Sequence, residues 1–344
     1  MTTYISLFLS AIMLFIISFY TFHQRLLVLT RIAVAHLLRP RNLTILLWHW
    51  PFGVSYSLGG DVCATEYGIP GCFLSDNASL FHHADAVVFH HHELRTSRSY
   101  LPLHLPRPAS QRWIWLSLEP PVNNGNLSRY NGLFNWTMTY HRQADVPIPY
   151  GKLVPLPPNS SSFMIPKKGD CLVSWVVSNY QPDHERSQVY QGLRKYIPIQ
   201  VYGRWPRRPL SEQSLLRTIG RCHFYLAFEN SVAPDYITEK LWRNAYEAGA
   251  VPVVLGPSRA DYEALVAPGS FIHVNDFNST QELAVFLKQL ATDRRSYENY
   301  FKWRQTHKVK RYTDWRERLC SICVSYYRLP SNKVYYDLDA WAYS

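Results

Sequence analysis

The sequence contains no G-x-G-x-x-G run, no zinc-finger spacing, no RNP or homeodomain-like pattern, no internal repeat and no low-complexity tract. The first absence leaves dinucleotide redox chemistry without support, because that fingerprint supplies the tight turn and close backbone approach that a pyrophosphate needs. The next three, in a chain whose Lys and Arg residues are dispersed, make nucleic acid the weakest class of partner. Acidic residues are in the minority, 25 against 36 Lys and Arg, giving a formal net charge of +11. That balance favours anionic partners such as a nucleotide sugar, an anionic glycan or a membrane surface.

Charge is also absent from residues 2–22, which are dominated by Leu, Ile, Phe and Tyr. Such a stretch is long enough to span a bilayer. We expect a short cytoplasmic tail at 1–3, a transmembrane signal anchor at 4–22 and a stem at 23–42. A cleavable signal peptide is disfavoured, since no basic region precedes the apolar stretch and no small-residue cleavage site follows it. Arg25, Arg31, Arg39 and Arg41 follow the span, and the positive-inside rule alone would keep them in the cytosol. Six N-x-S/T sequons, at Asn42, Asn77, Asn126, Asn135, Asn159 and Asn278, argue instead for a lumenal, glycosylated portion after the span.

The six cysteines, Cys63, Cys72, Cys171, Cys222, Cys320 and Cys323, all lie beyond that span, and an even count suits an oxidising compartment. Spacing leaves their connectivity open. Cys320-Ser-Ile-Cys323 closed on itself would force Cys63 onto Cys72, whereas a zinc site is weakly supported by a lone C-x-x-C without a matched second pair.

What the chain does contain is 47% apolar residues over 344 positions, enough for two cores of ordinary domain size. Apolar strand candidates fall at 43–50, 85–90, 113–118 and 133–140. After a Pro/Ser-rich linker at 155–169, further candidates fall at 171–177, 199–203, 222–228, 251–255 and 270–274. Their alternation with helical patterns predicts parallel sheets covered by helices, and so two Rossmann-like α/β domains, at 43–154 and 170–318, facing a cleft.

Residues 222–257 are the most informative segment, reading as strand, polar turn, amphipathic helix and strand. The run Phe224 to Phe228 ends in Glu229, Asn230 and Ser231, and Asp235 is placed to cap a helix carrying Ile237, Leu241, Ala245 and Ala248 on one face. Lys240 then lies near the helix N-terminus, where unpaired N–H groups and the dipole favour an anion such as a diphosphate. From this segment alone, an ordinary crossover with a solvated Glu239 and Lys240 reads equally well.

Glu119 follows the apolar strand WIWLSL, at the strand end where open α/β sheets place ligand chemistry, and is the candidate general base. His90, His91 and His92 point to alternating faces of a strand end and are poorly disposed to converge on one metal ion. Asp337-Leu-Asp339 looks like a metal-binding pair but follows no core strand, and reads as structural.

The segments FYLAFENS (224–231), DYITEKLWRNA (235–245) and GAVPVVLGPSRADYE (249–263) carry a resemblance. So do WHWPFG (48–53), ADAVVFHHHEL (84–94), IPYG (148–151), SWVVSNY (174–180) and YTDWRERLC (312–320). Together they resemble the α1,3-fucosyltransferases of glycosyltransferase family 10, from about residue 43 to the C-terminus, and most closely the leukocyte-type members that act on sialylated chains.

That resemblance implies a two-domain GT-B fold in a single-pass type II Golgi membrane protein. GDP-fucose is the implied donor, and α2,3-sialylated type 2 N-acetyllactosamine the implied acceptor, giving sialyl-Lewis x. No cofactor is obligatory, a divalent cation such as Mn at most stimulating turnover. It implies Glu119 as catalytic base and Ser178, Asn179, Arg186, Tyr225, Asn230, Tyr236, Glu239 and Lys240 as donor-binding residues. His91, His92, Glu93 and Tyr150 fall on the acceptor side. The implied disulfides are Cys171–Cys222, Cys63–Cys320 and Cys72–Cys323, the last two returning residues 319–344 to the N-terminal domain. The chain departs from the family pattern at Pro120, usually serine, at His92, usually Trp or Arg, and at Ser211-Glu-Gln-Ser214, where the leukocyte-type members carry C-x-x-C. A protein O-fucosyltransferase and a non-catalytic glycan-binding protein are the alternatives.

Overall fold

A computed structural model describes residues 42–157 and 163–344. The expected anchor at 4–22, the stem up to residue 41 and the sequon at Asn159 lie outside the described residues. Among the described residues no helix is long and apolar enough to cross a membrane.

The first sheet contains β1 (Leu43–Leu47), β2 (Cys72–Ser75), β3 (Ala86–His90), β4 (Arg112–Ser117), β5 (Trp136–Thr139) and β6 (Val146–Pro147) in the order β2-β1-β3-β4-β5-β6. The pairs from β1 through β6 are parallel, with Val88 opposite Ile114 and Ile114 opposite Trp136. A parallel strand hidden on both faces reads as a continuous apolar run, and β3 is buried along its whole length. Phe81, Phe89, Trp113, Trp115 and Phe134 form the core on one side. Short helices α1 (Val62–Tyr67), α2 (His91–Arg95) and α3 (Pro121–Asn124) complete this half, α2 following β3 directly and α3 following β4 after a short turn.

Strand β7 (Gly151–Pro155) leads to the second sheet, made of β8 (Cys171–Val176), β9 (Ile199–Tyr202), β10 (Cys222–Phe228), β11 (Val251–Leu255) and β12 (Ile272–His273). Its order is β12-β11-β10-β8-β9, again parallel throughout. The intervening helices are α4 (Glu185–Leu193), α5 (Glu212–Gly220), the π-helix α6 (Lys240–Glu247), α7 (Arg259–Leu265), α8 (Thr280–Thr292) and α9 (Arg294–Asn299). Period-two alternation divides β10 between two cores. Phe224, Leu226 and Phe228 pack with Leu193, Leu283 and Leu287 from α4 and α8, while Tyr225 and Ala227 pack with Leu241, Trp242 and Ala245 from α6.

Four short strands were not expected from sequence, and one joins distant parts of the chain. β13 (His307–Arg311) pairs antiparallel with β7, placing Val309 opposite Leu153. Gly151 opens β7 because a Cβ there would lie 2.6 Å from the Trp242 ring, so only glycine lets this strand lie so close to α6. The chain then returns through α10 (Trp315–Tyr326) and α11 (Leu338–Tyr343) to the first half.

Disulfides Cys63–Cys320 and Cys72–Cys323 fasten α1 and β2 to α10, and Cys171–Cys222 joins neighbouring strands β8 and β10. Cys320 and Cys323 therefore do not close on each other, and no described cysteine is free to bind zinc. The long crosslinks enclose 257 and 251 residues, and in the chain-entropy account the first such crosslink stabilises by roughly 5 kcal/mol.

Two sequence expectations are corrected here. Asp235 does not cap α6. It sits at φ 59° and accepts hydrogen bonds from Arg142 N (2.9 Å) and Nε (2.6 Å), which tie the loop after β5 to the loop after β10. Asn135 is not a glycan acceptor in the folded protein, because it is 7% exposed, its Nδ2 donates to Lys333 O and its Oδ1 accepts from Trp113 N. Asn42, Asn77, Asn126 and Asn278 are exposed.

Candidate active site

Glu119 lies two residues past β4, between that strand and α3, and is partly exposed. Its Oε2 accepts from Asn123 Nδ2 at 2.8 Å, its N–H donates to Ser117 Oγ at 3.3 Å and its carbonyl accepts from Asn124 Nδ2 at 3.4 Å. Ser117 Oγ in turn donates to Asn124 Oδ1 at 2.8 Å. Tyr150 OH donates to the carbonyl of Leu118 at 2.7 Å, so the residue before Glu119 is held as well. Burial pushes the Tyr150 phenol well above its ordinary pKa, with Glu239 and Glu119 adding to the effect, and it remains a donor.

His91 belongs to this support and not to an acceptor surface. It is buried; its Nε2–H donates to Asn124 O at 2.8 Å while Nδ1 accepts from Trp115 Nε1 at 3.1 Å, which fixes one neutral tautomer. Burial lowers its pKa from 6.5 to about 4, against the raising effect of the Asn124 hydrogen bond. With the folded-state pKa depressed, the unfolded chain binds more protons between those values, so stability falls as pH falls from about 6.5 towards 4. The expected loss from this one group between pH 7 and pH 5 is about 2 kcal/mol. Urea unfolding at the two pH values should show it, and His91→Asn should show a correspondingly smaller difference.

Glu93 is likewise a buried strut. Its carboxylate pairs with His90 Nδ1 and accepts from Phe52 N at 2.9 Å. Burial pushes that carboxyl up, but the His90 hydrogen bond and charge outweigh it and hold it below its ordinary value. The clamp keeps Phe52 in a left-handed conformation, φ 55°, with its ring 51% exposed and 5.0 Å from the His92 ring. Phe52, His92, Arg95, Val122, Asn123 and Glu119 line a groove of about 460 Å³. Of the residues expected on the acceptor side, His92 faces this space, whereas His91, Glu93 and Tyr150 shape it from behind.

On the other side of Glu119, Tyr236 packs its ring against Tyr140 and Tyr150, with centroids 5.0 and 6.2 Å away, forming a floor between the two halves. Beyond it lies a pocket of about 170 Å³ lined by His184, Arg186, Glu229, Asn230 and Gly256 among others. Arg186 is 6% exposed, and its Nη2 donates to the carbonyl of Asn179. Among the described residues no carboxylate lies within ion-pair distance of it, and its Nε has no partner. Burial lowers its pKa, with Glu229 opposing from a distance. Asn230 Oδ1 and His184 Nδ1 are also buried and unpartnered. A concave site with a buried cation outside ion-pair distance of any described carboxylate and with unpartnered polar atoms fits an anionic, hydrogen-bonding ligand.

Lys240 differs. It is the first residue of α6, and its Nζ is within 2.8 Å of Glu229 Oε2, 2.7 Å of Thr238 Oγ1 and 3.6 Å of Glu239 Oε1. Burial would lower its pKa, but the two carboxylates outweigh that and raise it. Glu239 remains 44% exposed beside it. Ser178 and Asn179 are exposed on the turn after β8. Tyr225 is the exception among the expected donor residues: it is fully buried on the α6 side of β10, with its hydroxyl accepting from Asn244 Nδ2 at 2.9 Å, and it belongs to the core beneath the site.

Residues not anticipated from sequence complete the site. Glu229 accepts from Thr238 N and Oγ1 and from Lys240, and its position just past β10 matches that of Glu119 past β4, so the same strand-end rule points to it. Trp341 of α11 lines a small pocket with Glu119, Tyr140 and His141. No local signal predicts that contribution, because it depends on the long return of the chain. Asp339 caps this arrangement by accepting from Leu127 N at 3.0 Å, and Asp337 accepts from Ala340 N, so neither is disposed as a metal ligand. Among the described residues no group of three or more His, Cys, Asp or Glu is placed to hold a metal ion.

Profile comparison matches residues 165–341 to the C-terminal region of glycosyltransferase family 10 (fucosyltransferase) and residues 40–151 to the fucosyltransferase N-terminal region. The chain is 50% identical over 301 residues to alpha-(1,3)-fucosyltransferase 7 of Mus musculus, covering 87% of this chain and 76% of that one. It is 48% identical over 305 residues to the Homo sapiens protein of the same name, covering 87% and 86%. It is 42% identical over 298 residues to 4-galactosyl-N-acetylglucosaminide 3-alpha-L-fucosyltransferase 9 of Mus musculus, covering 87% and 81%. In fold it is similar to a crystal structure of an alpha1,3-fucosyltransferase with GDP-fucose, with a TM-score of 0.53 and 18% identity over 87% of this chain and 93% of that one.

Proposed function

Because the chain belongs to glycosyltransferase family 10, the fucosyltransferases, we propose that it transfers L-fucose from GDP-β-L-fucose to the 3-hydroxyl of N-acetylglucosamine in type 2 N-acetyllactosamine. The α2,3-sialylated form is the preferred acceptor, and the product is of the sialyl-Lewis x type. The two sheets form the two domains of a GT-B arrangement, anchored through residues 4–22 in the Golgi membrane with the catalytic portion lumenal. The observation that carries this reading is the placement of a strand-end carboxylate, Glu119, across a tyrosine floor from a pocket holding the uncompensated Arg186.

The reaction follows from that placement. Transfer from a β-linked donor to an α-linked product inverts the anomeric carbon, so one displacement suffices and one carboxylate can serve it. Glu119 takes the proton from the acceptor hydroxyl as its oxygen bonds to the anomeric carbon and the bond to GDP breaks. The electron pair leaves on the diphosphate, whose charge Arg186 and Lys240 stabilise without protonating it. Ser178, Asn179, Asn230 and Glu239 offer hydrogen-bonding groups for the nucleotide and fucose, and a divalent cation such as Mn is at most an accessory.

The test is to incubate the full chain with GDP-fucose and sialylated lactosamine, neutral lactosamine, type 1 chain and a folded protein domain, and then to determine the product linkage. An α1,3-fucosylated lactosamine supports the proposal. Fucosylation of the protein domain alone, or glycan binding without transfer, rejects it.

A further inference from the structure

We propose that Arg95 reads an anionic substituent on the acceptor glycan, gripping a carboxylate or sulfate with its guanidinium fork inside the groove that Glu119 also lines. The inference rests on the fucosyl-transfer reading above and assigns the residue that selects among its acceptors. Among the described residues Arg95 is the one permanent cation lining this groove. It is exposed, and among the described residues its guanidinium makes no side-chain hydrogen bond or ion pair. The acid two positions earlier does not neutralise it, because Glu93 is buried and its two oxygens are occupied by His90 and Phe52.

The groove's other walls explain why a charge there discriminates. Phe52 and Val122 present 51% and 63% of their surfaces, offering apolar faces on which sugar rings can lie. A glycan lying on them strips water from Arg95, so a pair that would be weak on an open surface is strengthened where ligand and protein enclose it. His92, one helical turn before Arg95, lines the same space, but only Arg95 supplies five fixed donors that match a carboxylate or sulfate two bonds at a time. The volume of about 460 Å³ lies within the usual range for small-ligand sites, and so admits more than the one sugar that receives fucose.

The experiment compares Arg95→Ala, Arg95→Lys and the unmodified full chain. Acceptors are α2,3-sialyl-lactosamine, 3′-sulfo-lactosamine and neutral lactosamine, each at low and high salt. The reading is the ratio of kcat/KM for a charged acceptor to that for the neutral one. We expect the sialylated-to-neutral ratio to fall about tenfold in Arg95→Ala, the value of one charge-assisted hydrogen-bonded contact, and to be intermediate in Arg95→Lys. Salt should lower the ratio in the unmodified chain and leave it flat in Arg95→Ala. A parallel fall for the sulfated acceptor identifies charge as the feature read, and a fall for the sialylated acceptor alone identifies the carboxylate. An unchanged ratio in Arg95→Ala overturns the assignment while leaving fucosyl transfer intact. Absence of transfer to all three lactosamines by the unmodified chain overturns the underlying reading, and Arg95 with it.

Discussion

Replacing Glu119 by Gln is expected to lower fucosyl transfer by about 100-fold or more while GDP-fucose binding persists. The amide keeps the shape of the side chain, and its position between Ser117, Asn123 and Asn124 is maintained largely through main-chain bonds that the substitution leaves in place. What it loses is the capacity to accept a proton. The proposed donor pocket, lined by Arg186 and Asn230, is separate, so calorimetric titration with GDP should give a nearly unaltered affinity while single-turnover transfer collapses. Near-normal turnover would remove Glu119 from the mechanism.

Arg186→Ala should separate binding from stability. GDP affinity is expected to weaken by about 10- to 100-fold, the range for losing charge-assisted hydrogen bonds. The free protein should melt no lower than the parent, because the substitution removes a buried cation with no ion-pair partner among the described residues. Lys240→Ala should behave differently: it strands the buried Glu229 carboxylate and is expected to destabilise by about 3 kcal/mol or more even without ligand. Thermal melts with and without GDP measure both effects. A large drop in the melting temperature of free Arg186→Ala would mean that the arginine serves the fold, and would withdraw it as a donor-site cation.

The nine strands expected from sequence correspond to elements of the two parallel sheets; β3 and β11 declare themselves as dense apolar runs because both faces of the sheet are covered there, whereas β9, Ile-Gln-Val-Tyr, lies at an edge. β13, His-Lys-Val-Lys-Arg, carries no such signal; it is a strand only because β7 lies beside it. The same division applies to the site. Glu119 is legible as a carboxylate at a strand end, Arg186 only through the family resemblance, and the structure places both on concave surfaces. The family resemblance puts His91 and Glu93 on the acceptor side, but each turns inward to satisfy buried partners that sequence does not reveal. Tyr225, also expected from the resemblance, shows that a tyrosine in an apolar strand satisfies its hydroxyl in the core as readily as in a cleft, here through Asn244.

Sequence separation in the two long disulfides has a consequence for how the molecule comes into being. Cys63 and Cys72 are translated 257 and 251 residues ahead of their partners. At ordinary elongation rates they wait on the order of 10 to 50 s as unpaired thiols. During that interval Cys171 and Cys222 also emerge, separated by only 51 residues, so four thiols coexist before either long bridge can close. The half of the molecule made first is therefore sealed last, by the arrival of α10. Shortly behind it comes α11, which brings Trp341 to the pocket beside Glu119. The carboxylate proposed as the base thus acquires its complete surroundings only after both ends of the fold have met, and a nascent or truncated chain carries Glu119 without the enclosure that surrounds it in the folded protein.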